Sequence, residues 1–180
     1  MLIRRADSLL LVVDIQKKLA PAIHDRERVT ANSVRLLEGA RQLGVPAFVS
    51  EQYVKGLGPS LDAIRNAAVD AQFFEKTHFS CAAEPGVIDL LRAAKRPQVL
   101  LTGTETHVCV LQTAFGLLAA GFEVYLVADA TSSRTPENRS AAIERMRTGG
   151  VQIVTTEMAL FEWLQQAGTD DFRQLLPLIK

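Results

Sequence analysis

Three residues of this chain have types and positions that suit nucleophilic catalysis: Cys109, Asp14 and Lys76. Cys109 lies in QVLLTGTETHVCVLQTAFGLL, residues 98–118. That stretch reads as a buried strand over 99–101, a polar turn over 102–106, and an apolar helix entered near Cys109. A thiol at a strand-to-helix joint meets the unpaired N–H groups and partial positive charge of the helix start, which favour thiolate. The same N–H groups can receive a developing oxyanion. Such a nucleophile needs a base, and a carboxylate can serve. A lysine beside both anions would hold the carboxylate and lower the cost of the thiolate. Asp14 closes the apolar run LLLVV, and Lys76 sits in FFEKTHF. Each residue also has a plainer reading: Asp14 as a strand-end turn former, Lys76 as a solvated charge, Cys109 as a core thiol. His107, two residues before Cys109, leaves a Cys–His pair open as an alternative.

The elements that must position these residues follow from periodicity. Residues 9–13 form a continuous apolar run of strand length, as in a strand buried on both faces. An amphipathic helix is predicted over 29–43, closed by Gly44. Strands are predicted over 46–49, 99–101, 123–127 and 151–154, and a short extended segment over 73–79. Helices are predicted over 61–68, 85–94, 109–120 and 135–147, with two terminal helices over 157–166 and 170–179. A Gly/Pro-bearing loop, EQYVKGLGP, follows the second strand. Strands alternating with helices predict an α/β fold. It is a three-layer α-β-α arrangement with a mainly parallel sheet. In such sheets ligands bind beyond the carboxyl ends of the strands. Those ends carry Asp14, Ser50 with Glu51, the turn leading to Cys109, and Asp129.

Composition narrows the function classes. The 180 residues suit one domain, 1–180, with a substantial core. Formal net charge is zero and no Lys/Arg run stands out, so neither nucleic acid nor an anionic membrane is the expected partner. The apolar N-terminal run is too short to span a bilayer. Two cysteines far apart make neither a disulfide framework nor a zinc pair, and a reducing, cytoplasmic setting is expected. Cys81 reads as packing. No metal cluster is expected from the three histidines, and no cofactor. Dinucleotide and Walker loops, the GxSxG elbow and the arginine of a Cys–Arg phosphatase loop are all missing.

Four segments, LLLVVDIQ (9–16), EKTHFS (75–80), LTGTETHVCVLQTA (101–114) and VYLVADATSSR (124–134), make the chain resemble the isochorismatase-like cysteine hydrolases. SEQYVKGLGPS (50–60) and DFRQLLPLIK (171–180) make it similar to the isochorismatase domain-containing group within them. The resemblance implies an Asp–Lys–Cys triad of Asp14, Lys76 and Cys109. It implies a cis peptide between Thr104 and Glu105, aiming the Glu105 N–H beside that of Cys109 as an oxyanion hole. It also implies hydrolysis of a small amide or related acyl substrate through a thioester. Gln16, Tyr53, Phe79 and Thr106 are the expected pocket wall, being neighbours of the triad in sequence. The metal-binding histidines of related nicotinamidases are absent from EQYVKGLGP. Two alternatives stand beside this: vinyl ether hydrolysis with Asp14 as acid, and a largely non-catalytic oligomeric binding protein. Self-association is expected, because the terminal helices carry Leu160, Phe161, Trp163, Leu164, Leu175, Leu176, Leu178 and Ile179.

Overall fold

A computed structural model describes residues 1–179. Six strands form one all-parallel sheet: β1 (Ser8–Val13), β2 (Ala47–Gln52), β3 (Gln72–Lys76), β4 (Gln98–Thr104), β5 (Glu123–Ser132) and β6 (Gln152–Val154). Their order is β3-β2-β1-β4-β5-β6. The chain therefore leaves β1 toward one edge and returns at β4 to fill the other. Asp14 ends β1, and the turn to Cys109 ends β4. The two flank the crevice where strand order reverses, the usual ligand site of such sheets.

All six residues of β1 are buried, which is why its sequence is apolar without alternation. Successive side chains point to opposite faces. Leu10 and Val12 join the core under α1 (Arg26–Leu43), α7 (Thr156–Leu164) and α8 (Asp170–Ile179). Leu9, Leu11 and Val13 join the core under α4 (Val87–Ala93), α5 (Leu111–Ala119) and α6 (Pro136–Thr148). Two short helices, α2 (Val54–Leu57) and α3 (Asp62–Ala67), lie between β2 and β3. Helix α1 buries Val29, Leu36, Leu37 and Ala40 and ends at Gly44, which takes the left-handed conformation (φ 68°).

Most of the terminal apolar residues pack inward. Leu160, Trp163 and Leu175 are buried, and Leu164, Leu178 and Ile179 pack partly against the same core. Phe161 stays 42% exposed beside Met158 and Leu2. Asp129 is occupied structurally: its Oδ1 accepts from the Thr156 N–H at 2.8 Å and the Thr156 hydroxyl at 3.0 Å, at the start of α7.

The join between β1 and β4 is unusually close. Gly103 has φ 129°, and a Cβ there would lie 2.1 Å from the Val13 carbonyl oxygen. A side chain at this position meets rigid backbone in a conformation that L residues rarely adopt. Gly103→Ala is expected to lower stability by at least about 2 kcal/mol, measured by urea denaturation, with an unchanged midpoint as the contrary result.

Candidate active site

Asp14 takes a left-handed conformation (φ 55°) where the chain leaves β1. Its N–H donates to the Ser50 carbonyl (3.2 Å), and its own carbonyl accepts from the Thr104 hydroxyl (2.6 Å). The residue is thus pinned to both neighbouring strands, and its carboxylate sits wholly buried over the sheet end. Oδ2 accepts from Lys76 Nζ at 2.7 Å, and Oδ1 accepts from the Ser50 hydroxyl at 2.7 Å. The Cys109 thiol lies within hydrogen-bond reach of the same carboxylate. Asp14, Lys76 and Cys109, far apart in sequence, therefore meet.

Lys76 ends β3 with its side chain fully buried. Besides Asp14, its ammonium reaches Gln52 Oε1 (2.5 Å) and the carbonyls of Phe79 (3.0 Å) and His78 (3.2 Å). Burying a charge is tolerable only with such a complete set of partners. Segment 73–79, expected to be extended, is extended only to Lys76. Beyond it the backbone folds so that its carbonyls face the ammonium.

Cys109 lies inside a π-helical turn, Thr106–Val110, that precedes α5. The Thr104–Glu105 peptide is trans, which corrects the expected cis bond. The reversal out of β4 is made instead by Glu105, in the left-handed region (φ 56°, ψ 58°), just after the break in register at Gly103. The Glu105 carbonyl accepts from Val108 (2.9 Å) and Val110 (3.3 Å) and passes over the Cys109 N–H. The wide turn thus spares that N–H the Glu105 carbonyl.

The thiol itself departs from the expectation set by a helix start. Burial, followed by the negative charge of Asp14, pushes the Cys109 pKa well above the ordinary thiol range. Both causes favour the protonated thiol over the thiolate. Burial also raises the Asp14 pKa, against the opposing pull of Lys76 and Ser50.

The other expected residues are divided. Thr106 is buried, with its hydroxyl 2.8 Å from that of Thr131. Gln16 commits its amide to backbone: its Nε2 donates to the carbonyls of Gly58 (2.6 Å) and Gln52 (2.9 Å), and its Oε1 accepts from the Gln52 N–H (2.7 Å). It ties the loop after β2 to the sheet. Tyr53 (56% exposed) lines a cavity of about 320 Å³ with Glu75, Lys76, Thr77 and Glu84. Phe79 is exposed, and it enters the site through its carbonyl. Gln52 was not singled out from sequence, and Ser50 only as one of the strand ends where a ligand would bind. Cys81, expected to be mere packing, is buried within hydrogen-bond reach of Ser50 and feels the charge of Asp14; its pKa is pushed up to about 11, chiefly by burial. Among the described residues, no cluster of three or more His, Cys, Asp or Glu is placed to hold a metal.

Residues 8–158 match the isochorismatase domain. The chain belongs to the isochorismatase domain family. It is 38% identical over 172 residues to isochorismatase domain-containing protein 2 of Danio rerio, covering 96% of this chain and 86% of that one. Among solved structures it resembles the MAR1 ribonuclease of Caenorhabditis elegans, with 36% identity, a TM-score of 0.93, and coverage of 99% of this chain and 92% of that one. It shares its fold with the Escherichia coli YcaC product, described as an octameric hydrolase of unknown specificity, at 22% identity and a TM-score of 0.92, with coverage of 99% and 90%. The six-stranded parallel sheet covered on both sides is the fold these isochorismatase-like structures share.

The buried pair makes a stability prediction with a sign. Lys76→Met leaves Asp14 buried without its cation, and breaking such a pair costs about 3–5 kcal/mol. Without Lys76 the Asp14 pKa rises further. The loss should therefore be largest above that pKa and shrink on acidification, as the carboxylate takes a proton. Urea denaturation of both proteins at pH 5 and pH 8 reads this directly, and a penalty independent of pH would contradict it.

Proposed function

We propose that this isochorismatase-family chain, read as one unit over 1–180, is a cysteine hydrolase of small amides or related acyl compounds. The observation that carries the proposal is the Asp14 carboxylate, which faces the Lys76 ammonium and the Cys109 thiol in one buried site. With the thiol protonated at rest, Asp14 takes its proton as sulfur attacks the carbonyl carbon. The Cys109 N–H is offered to the developing oxyanion, the Glu105 N–H having lost the cis bond that was to aim it. Protonated Asp14 then gives its proton to the leaving amine, which departs and leaves a thioester. In the second half Asp14 draws a proton from water, the hydroxide displaces sulfur, and the thiol is restored. Lys76 keeps the cluster electrically balanced through each step.

A balanced formal charge and a single buried nucleophile support a small molecule over a polyanion as substrate, although one relative carries the name ribonuclease. The free thiols, Cys81 and Cys109, suit a reducing, cytoplasmic compartment. Self-association is part of the proposal, with Leu2, Met158 and Phe161 as an apolar patch. Among the described residues no helix is long and apolar enough to cross a membrane.

A second reading draws on the raised Asp14 pKa: a protonated Asp14 would serve as the acid for vinyl ether hydrolysis. The two readings differ in sign. As base, Asp14 must be ionised at rest, so kcat/KM rises with pH through an apparent pKa above the ordinary carboxylate range. As acid, it must be protonated, so kcat/KM falls over the same range. A screen of small amides, hydroxamates and isochorismate would identify the substrate. Asp14→Asn is expected to lose about 10²–10⁴-fold in kcat/KM. Cys109→Ala should abolish amide turnover and the acyl adduct seen by mass spectrometry. Full amide turnover by Cys109→Ala would end the thioester proposal. Retained isochorismate turnover by that variant, lost in Asp14→Asn, would favour the second reading.

A further inference from the structure

Glu105 opens the turn that carries Cys109, and its side chain is buried. Its Oε1 accepts from Arg134 Nε at 2.6 Å. Its Oε2 is buried without a hydrogen-bond partner, 3.4 Å from His107 Nδ1, which lies 3.0 Å from the Ser133 hydroxyl. The Arg134 side chain is 62% exposed, and among the described residues its terminal Nη nitrogens have no hydrogen-bond partner. Thr104 pairs with Ser132, so Glu105 and Arg134 leave adjacent strands at the edge that holds Asp14 and Cys109. Glu105, which holds Arg134, is the residue that opens the turn carrying Cys109.

Packing does not account for this arrangement. A mostly exposed arginine needs no buried partner, and a buried carboxylate with an unsatisfied oxygen is a costly thing for a fold to keep. What the arrangement achieves is to fix the guanidinium by Nε and leave its outer edge open. That edge presents parallel N–H donors spaced to match the two oxygens of a carboxylate. The neighbouring charges fit a single anion: Lys76 is already balanced by Asp14, and Arg134, bound to the residue that opens the Cys109 turn, is a cation with donors to offer.

We propose that Arg134, held in place by Glu105, reads an anion in the active site, and that the acyl substrate of Cys109 carries a carboxylate that pairs with the open guanidinium edge. The proposal rests on Cys109 being the nucleophile. It makes Arg134 a specificity-determining residue and Glu105 its positioning residue.

Alkylation of Cys109 tests this without knowledge of the natural substrate. Iodoacetate and iodoacetamide differ chiefly in a carboxylate. Their rates at Cys109, followed by peptide mass mapping, are compared with their rates at the free thiol N-acetylcysteine. In the unmodified protein the iodoacetate-to-iodoacetamide ratio should exceed that of the free thiol by about tenfold, as for a hydrogen bond to a charged group. Arg134→Gln, a change on an exposed side chain, should remove that preference; Arg134→Lys, charged but without the fork, should restore only part of it. A ratio equal to that of the free thiol, or one unaltered by Arg134→Gln, overturns the proposal while leaving the nucleophile intact. Inertness of Cys109 to both reagents instead counts against the nucleophile and overturns both. Propionate titration followed at the Arg134 Nε–H by NMR adds a readout independent of sulfur. A saturable shift supports the site; no shift, or a response to methyl phosphate alone, overturns the carboxylate assignment.

Discussion

The constraint on which the rest depends is the ion pair of Asp14 and Lys76, buried beyond the reach of water. Two charges in that position are a liability unless every lone pair and proton finds a partner. The surrounding structure is arranged to supply them. Ser50 in β2 serves the second carboxylate oxygen. Gln52 serves the ammonium and is held through its Nε2 on the Thr77 carbonyl (2.9 Å). The chain after β3 turns inward so that the carbonyls of His78 and Phe79 complete the shell. Gln16 then ties the loop following β2 to the same corner. The pair and its partners thus fix the loop after β2 and the chain after β3.

Sheet topology determines why this corner also holds the Cys109 thiol. β1 lies between β2 and β4, so a residue at its end is flanked by one strand from each half of the chain. Asp14 uses both: a hydroxyl from β2 on its side chain and a hydroxyl from β4 on its backbone. The turn leaving β4 brings Cys109 to it. Gly103 permits the close approach, and Glu105 makes the reversal. Positive φ at Asp14 and Glu105, neither a glycine, costs roughly 1–2 kcal/mol each. Such conformations persist where the surrounding bonds over-determine them, and both residues face this site.

What the sequence made legible was what depends on period and composition. An unbroken apolar β1, helices of crossover length and polar strand ends were enough for the layered fold and for the edge carrying the site. Asp14, Lys76 and Cys109 were picked from sequence as residue types, Asp14 and Cys109 at the ends of apolar strands and Lys76 within the segment 73–79. The partners that make them work were not. Ser50 and Gln52 are ordinary polar residues, and only the parallel pairing of β2 with β1 and β3 brings them to the charges. A β2 extended by a few residues past the predicted end at 49 would have included them. Cys81, read from sequence as packing, does pack in the core, with its N–H bonded to the Thr113 hydroxyl at 2.9 Å. The trans bond before Glu105 shows the opposite error: resemblance supplied a backbone detail that this chain replaces with a left-handed residue and a wide turn.

The state of Cys109 follows from competition between two fields. A helix start favours thiolate by a modest amount that fades within a turn. Here the thiol is buried and beside a carboxylate, and both effects oppose ionisation. Desolvation is the larger cause, so the balance lies with the thiol even though Lys76 pulls the other way. A thiol beside a carboxylate leaves the pair at one negative charge, which Lys76 balances. Ionising sulfur in advance would place two anions against one cation in a dry site. Moving the proton from sulfur to Asp14 avoids this, because the net charge of the cluster is the same before and after. In the proposed mechanism the proton transfer and the attack would be matched: charge would leave Asp14, pass to sulfur, and pass on to the substrate oxygen without the site ever holding a second uncompensated anion. On that proposal Lys76 serves less to activate sulfur than to let a carboxylate remain ionised where the thiol can reach it.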